Sequence, residues 1–230
     1  MTTSALRRVP LRFLAAVAVV AALLTATVGR EPAHAEHAGG HGQSAEHRAL
    51  NASEVAFHDQ MRKLWEDHVT WTRLAIVTFA DGSAGFPATA TRLLDNQTDI
   101  GNAIVPFFGA ADGAQLSSLL HDHITIAVEL LQAAKSGDTA AFNDADTRWY
   151  ANANDIADFL NRINPRFWPD AQMREDMKVH LDQTLAEASD ELGGNYTASV
   201  ADYEAIHLHI LAMADMLSNG IIDRFPSHFH

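Results

Sequence analysis

Three histidines recur along this 230-residue chain at nearly even intervals: His68, His123 and His180, separated by 55 and 57 residues. His123 falls inside an apolar stripe made by Leu116, Leu119, Leu120, Ile126, Ala127 and Leu130, and His68 holds the same place in its own segment. His180 lies nearer the edge of its stripe. A buried imidazole needs a partner for at least one ring nitrogen. The pairs Asn96/Asp99 and Asn152/Asp155 are spaced i, i+3, so each shares one helix face beside an apolar stripe. His68, His123 and His180 facing the carboxylates of Asp99 and Asp155, with Asn96 and Asn152 behind them, would suffice for Zn²⁺, Fe²⁺ or Cu²⁺. The same residues could equally form a metal-free hydrogen-bonded layer that fixes the register between helices.

Other groups carry weaker chemistry. His209, Met213 and Met216 stand at i, i+4 and i+7, on one face, and imidazole with thioether suits Cu(I). Methionine at such spacing also serves as ordinary core filler. Glu204-Ala205-Ile206-His207 is an E-x-x-H, but di-iron bundles need a second copy and two further glutamates, and after residue 35 the sequence has no second copy. His34, His37, His41 and His47 near the start, and His228 and His230 at the end, could hold Cu²⁺ or Zn²⁺ loosely or simply solvate a linker. The aromatics Trp65, Trp71, Trp149, Tyr150, Phe159, Phe167 and Trp168 fit either an apolar pocket or helix packing. No phosphate loop, G-x-S-x-G elbow or H-E-x-x-H occurs. Catalysis is not the expectation.

Composition narrows the setting. Arg7, Arg8 and Arg12 precede an apolar run from Phe13 to Leu24, and Ala33-His34-Ala35 offers an A-x-A cleavage pattern. Residues 1–35 therefore read as a secretory signal. The rival reading is an uncleaved anchor, although the run is short of the about 20 apolar residues a membrane span needs. No second long apolar run is evident, so the remainder should be soluble, secreted or held in the cell envelope. With no cysteine, thiolate metal sites, disulfides and c-type haem attachment are excluded. Removing residues 1–35 leaves 12 Lys and Arg against 28 Asp and Glu, taking the formal charge from −13 to −16. That surface repels nucleic acid and tolerates cations.

Helices must position these side chains. Residues 36–52 are polar and glycine-bearing, a His-containing leader. From residue 53 to 226 the apolar period is three to four throughout, so the fold class is all-α, with six helices. The first should start at a Ser53 cap and run to about Phe79. The second should start near Pro87 and end before Pro106. An Asp112/Gln115 capping box should open the third, which Gly137 ends. The fourth spans about Thr139 to Arg162, the fifth Asp170 to Gly193-Gly194, and the sixth begins at Thr197 or Ser199 and stops before Pro226.

Overlaying these segments gives three αα-hairpins, 53–108, 112–164 and 169–226. Arg92, Asn96, Asp99 and Ile100 match Arg148, Asn152, Asp155 and Ile156 at a constant offset of 56. The third copy is looser: Asn152 corresponds to Ile210 and Asp155 to Met213. Three such hairpins can bury a continuous core, and closure into a ring would bring the matched polar positions together.

The blocks WEDHVTWTRLAIV (65–77), ATRLLDNQTDIG (90–101), HITIAVELLQAAKSGD (123–138) and RWYANANDIADFLNRINP (148–165) resemble a family of small helical bacterial proteins without established function. Its members often carry the labels glycosyltransferase or acetylglutamate kinase. The resemblance covers about residues 57–226 and implies histidines matching His68, His123 and His180. The labels conflict with the residues, because either activity needs a parallel α/β domain and a phosphate-binding turn. The sequence thus leads to an exported, non-catalytic helical binding protein with a metal or small ligand inside. The alternatives are a structural or interaction protein of the envelope, or an enzyme, either a transferase or a metal-dependent oxidase.

Overall fold

A computed structural model describes residues 50–230. The expected signal, and the leader up to residue 49, lie outside the described residues. Six helices follow one another: α1 (Ala52–Ala80), α2 (Phe86–Phe108), α3 (Ala110–Ser136), α4 (Thr139–Ile163), α5 (Asp170–Gly193) and α6 (Tyr196–Arg224), then a 3-10 turn at Pro226–His228. Among the described residues there is no strand. The fold is an all-α bundle.

Local chemistry sets the helix ends. Asn51 caps α1: its Oδ1 accepts from the backbone N–H of Ser53 and Glu54, both at 3.0 Å, while Glu54 Oε2 accepts from Asn51 N–H at 2.7 Å. This is a capping box two residues ahead of the expected Ser53 cap. Pro106 does not end α2, which runs on to Phe108. So near the C-terminus a proline removes only one backbone bond, and the chain breaks instead at Gly109, with φ at +89°. That turn starts α3 at Ala110, so Asp112 and Gln115 lie inside the helix rather than capping it. Their side chains accept from Arg162 of α4, at 2.9 and 3.2 Å. Gly137 and Gly194 adopt left-handed conformations that close α3 and α5 as the sequence indicates.

Each helix packs on its neighbours in the chain, and α6 returns onto α1, closing the six into a ring. α5 also touches α1. The main core runs through the bundle, with Ile156, Ala157, Leu181, Ile210, Ala214 and Ile221 fully buried. Two smaller clusters stand apart from it: Ala75, Leu93 and Ile124, and Ile76, Leu131 and Ala188. α2 and α3 approach closely where Gly101 faces Gly113 and Ser117. By length and mean hydropathy α6 could cross a membrane, contrary to the reading that no second apolar run exists; half of its most apolar stretch is buried in the bundle, which accounts for that composition.

Candidate functional site: a buried histidine layer

His68 on α1, His123 on α3 and His180 on α5 converge in the bundle interior, each nearly inaccessible to solvent. The ring centroids of His68 and His180 are 5.6 Å apart, and those of His123 and His180 6.4 Å. Trp149 stacks on His123 at 5.2 Å and Trp65 meets His68 edge-on at 5.9 Å. Helical periodicity explains the convergence: each histidine replaces an apolar residue on the stripe that faces the axis.

The hydrogen bonds differ from ring to ring. Asn152 Nδ2 donates to the Leu119 carbonyl at 3.1 Å, which leaves Asn152 Oδ1 to accept from His123 Nδ1 at 2.8 Å. His123 therefore carries its proton on Nδ1. Gln97 Nε2 donates to the Leu93 carbonyl at 2.7 Å and lies 3.3 Å from His68 Nδ1, so His68 Nδ1 is the acceptor and its proton sits on Nε2. His180 Nδ1 is buried without a partner, as is Gln97 Oε1.

Burial keeps all three rings neutral. Desolvation pulls His68 down to about 3, with His123 adding to the shift, and pulls His123 down to about 4. His180 is pushed well below the usual imidazole range by desolvation and by the neighbouring His68 and His123.

The other expected ligands do not join the layer. Asp99 points outward, with its side chain 48% exposed and 3.4 Å from Arg92; Asp155 is exposed too. The inward positions of α2 are Leu93, Asn96, Gln97 and Ile100, so Gln97 stands where the carboxylate was expected. A stripe counted at three and four from Leu93 includes Gln97, although an i, i+3 pairing from Asn96 points to Asp99 instead. Among the described residues no group of three or more His, Asp or Glu side chains is arranged to hold a metal ion.

Asn96 and Asn152 act on the backbone. Asn96 Nδ2 donates to the Leu64 carbonyl at 3.0 Å, as Asn152 does to Leu119. Leu64 and Leu119 lie four residues before His68 and His123. The residue four before His180 is Asp176, and its carbonyl meets His209 Nε2 at 2.9 Å. His209, not Ile210, thus takes the place of the asparagine in the third helix pair, and Ile210 is core. That contact occupies one nitrogen of His209. Met213 is buried core and Met216 packs against it from a partly exposed position.

The E-x-x-H histidine, His207, pairs with Glu66 of α1 at 3.1 Å and stacks on Tyr203. His228 packs on Phe107 and Phe225, and His230 is exposed. His34, His37, His41 and His47 lie outside the described residues.

Sequence reasoning missed a second polar cluster. Arg73 of α1 meets Glu187 and Glu191 of α5 at 2.9 and 3.2 Å and also donates to Ser199 of α6. Ser199 Oγ donates to Glu191 at 2.6 Å. Burial raises the Glu187 carboxyl to about 7, against the pull of Arg73. Its only signal was Glu187 and Glu191 at i, i+4, a spacing that exposed helix faces share.

The chain matches no family model, no curated protein and no solved structure.

Proposed function

We propose that this chain is an exported, non-catalytic helical protein of the cell envelope, a structural or interaction protein whose histidine layer serves register. The observation that carries this reading is the set of three clasps, in which Asn96, Asn152 and His209 each reach the carbonyl four residues ahead of a layer histidine. A buried polar bond satisfied only at one axial offset penalises any slip of one helix along its partner. The acidic composition and the absence of cysteine suit an extracytoplasmic setting without disulfides. The N-terminal sequence, with its basic start, apolar run and A-x-A pattern, supports export.

A second reading is favoured by one atom. His180 Nδ1 has no partner and lies beside two further neutral imidazoles, so rotation of the rings could bring three nitrogen donors to one transition metal, Zn²⁺, Cu²⁺ or Fe²⁺. One experiment separates the two. The full chain, purified without an affinity tag and dialysed against each metal, is analysed for metal content and melted with and without chelator. The structural reading expects no stoichiometric metal and an unchanged melting temperature. Retention of one equivalent, lost in His123→Ala and His180→Leu, overturns it.

A further inference from the structure

Beyond the histidine layer the bundle core is interrupted. Thr72, Ala127 and Thr184 lie four residues, one helical turn, after His68, His123 and His180, and all three line a cavity of about 40 Å³. Ile76, Leu131 and Ala188 form one of its walls, and Ala75, Leu93 and Ile124 another; these are the two clusters that stand apart from the main core. Trp149, which stacks on His123, also borders it, so cavity and layer share a side chain. Thr72, Ala127, Val128 and Leu185 in the lining retain some contact with solvent, so the cavity is half-open.

The lining decides what could enter. It contains no charged side chain, and an ion there would lose its hydration without compensation. Thr72 and Thr184 turn their hydroxyls to the His68 and His180 carbonyls, both at 2.8 Å, so neither donor is left for a guest. Enclosed apolar cavities stay dry and take up xenon or small hydrocarbons, and this half-open one shares their apolar lining. At about 10–15 Å³ for a water-sized occupant, the space suits a molecule of two or three heavy atoms.

We propose that this cavity is a binding site for a small uncharged apolar molecule, of the class of dioxygen or another diatomic gas, seated one helical turn from the imidazole layer. The proposal concerns the apolar chamber alone and stands whether or not the layer ever holds a metal.

Xenon is the probe. Methyl spectra of the full chain are recorded under rising xenon pressure. Saturable shifts are expected at Ile76, Ile124 and Leu131, with Ile163 and Ile222 unaffected. Uniform, non-saturating shifts, or water-to-methyl Overhauser effects at Ile124 and Leu131 that mark a hydrated chamber, would overturn the proposal. Ala127→Leu and Ala188→Leu each fill the space from a different helix and should abolish the saturable shifts. A folded variant of either kind that keeps them places the site elsewhere. If neither folds, the wild-type titration decides alone.

Discussion

His68 and His180, on α1 and α5, face each other with ring centroids 5.6 Å apart and planes tilted by 47°, yet only His68 has a hydrogen-bond partner at Nδ1. The layer is therefore asymmetric. His123 is held by Asn152, His68 by Gln97, and His180 is held in place by packing alone.

That asymmetry predicts opposite outcomes for two substitutions. His180→Leu removes a buried nitrogen that nothing satisfies, so stability should stay level or rise by about 1 kcal/mol. His123→Ala strips the partner from Asn152 Oδ1 and opens space beside Trp149, at a cost of about 2–4 kcal/mol. Urea midpoints of the two variants and the wild type, with equal slopes, would check both. A large loss in His180→Leu would mean that His180 has a partner after all.

Acid should weaken the fold. In the unfolded chain each histidine titrates near 6.5, whereas folding holds His68 at about 3, His123 at about 4 and His180 well below its usual range. Below pH 6.5 the unfolded state therefore binds more protons, and stability falls with pH until the folded values are reached. Each histidine contributes at most about 1.4 kcal/mol per pH unit. Glu187 acts in the other direction: its carboxyl, raised to about 7, takes up a proton in the folded state first. Burial also raises the Asp146, Asp176 and Asp202 carboxyls, which act with Glu187 as the pH falls further. With the three histidines prevailing between pH 7 and pH 5, the melting temperature should drop there. Glu187→Gln should steepen that drop. A flat profile would mean that the imidazoles are hydrated.

The Arg73 cluster should be sensitive to the loss of its cation. Arg73→Met leaves Glu187 and Glu191, both buried, without their counter-charge, which costs about 3–5 kcal/mol. Glu187→Gln keeps a hydrogen-bonding group and should cost far less near neutral pH. Thermal melts at pH 7 compare the two. Equal losses would mean that Glu187 is fully ionised in the native protein.

Gly101 tests the close approach of α2 and α3. A Cβ there would stand 2.0 Å from Ser117 Oγ and 2.5 Å from the Gly113 carbonyl oxygen. The serine can rotate, but the backbone oxygen can move only with its helix. Gly101→Ala should destabilise by about 1–3 kcal/mol despite the better helix propensity of alanine. Chemical denaturation measures it, and a stabilised variant would show the helices to be farther apart.

The helices themselves, and most of their ends, follow from local rules that the sequence carries. The apolar period of three to four gives the elements, and Gly137, Gly194 and Pro169 mark their ends through backbone geometry alone. The placement of His68, His123 and His180 toward the axis is equally local, since each interrupts an apolar stripe. Three helix boundaries differ where a local signal is ambiguous. Asn51 takes the cap that Ser53 resembles. Pro106 can be accommodated in a last turn, and Asp112 resembles a cap until Gly109 is seen to break the chain earlier.

What surrounds the histidines was decided by tertiary packing. Asn96 and Asp99 share a helix face in sequence, but the rotation of α2 against α1 turns Gln97 inward and Asp99 to solvent beside Arg92. His209 rather than Ile210 meets the Asp176 carbonyl because the register of α6 on α5 shifts the contact by one residue. Arg73, Glu187, Glu191 and Ser199 meet only because the ring closes α1 onto α5 and α6. The sequence alone thus determined the helices and the inward placement of His68, His123 and His180. The relative rotation and register of whole helices chose their partners, because those depend on the summed packing of distant segments rather than on any local spacing.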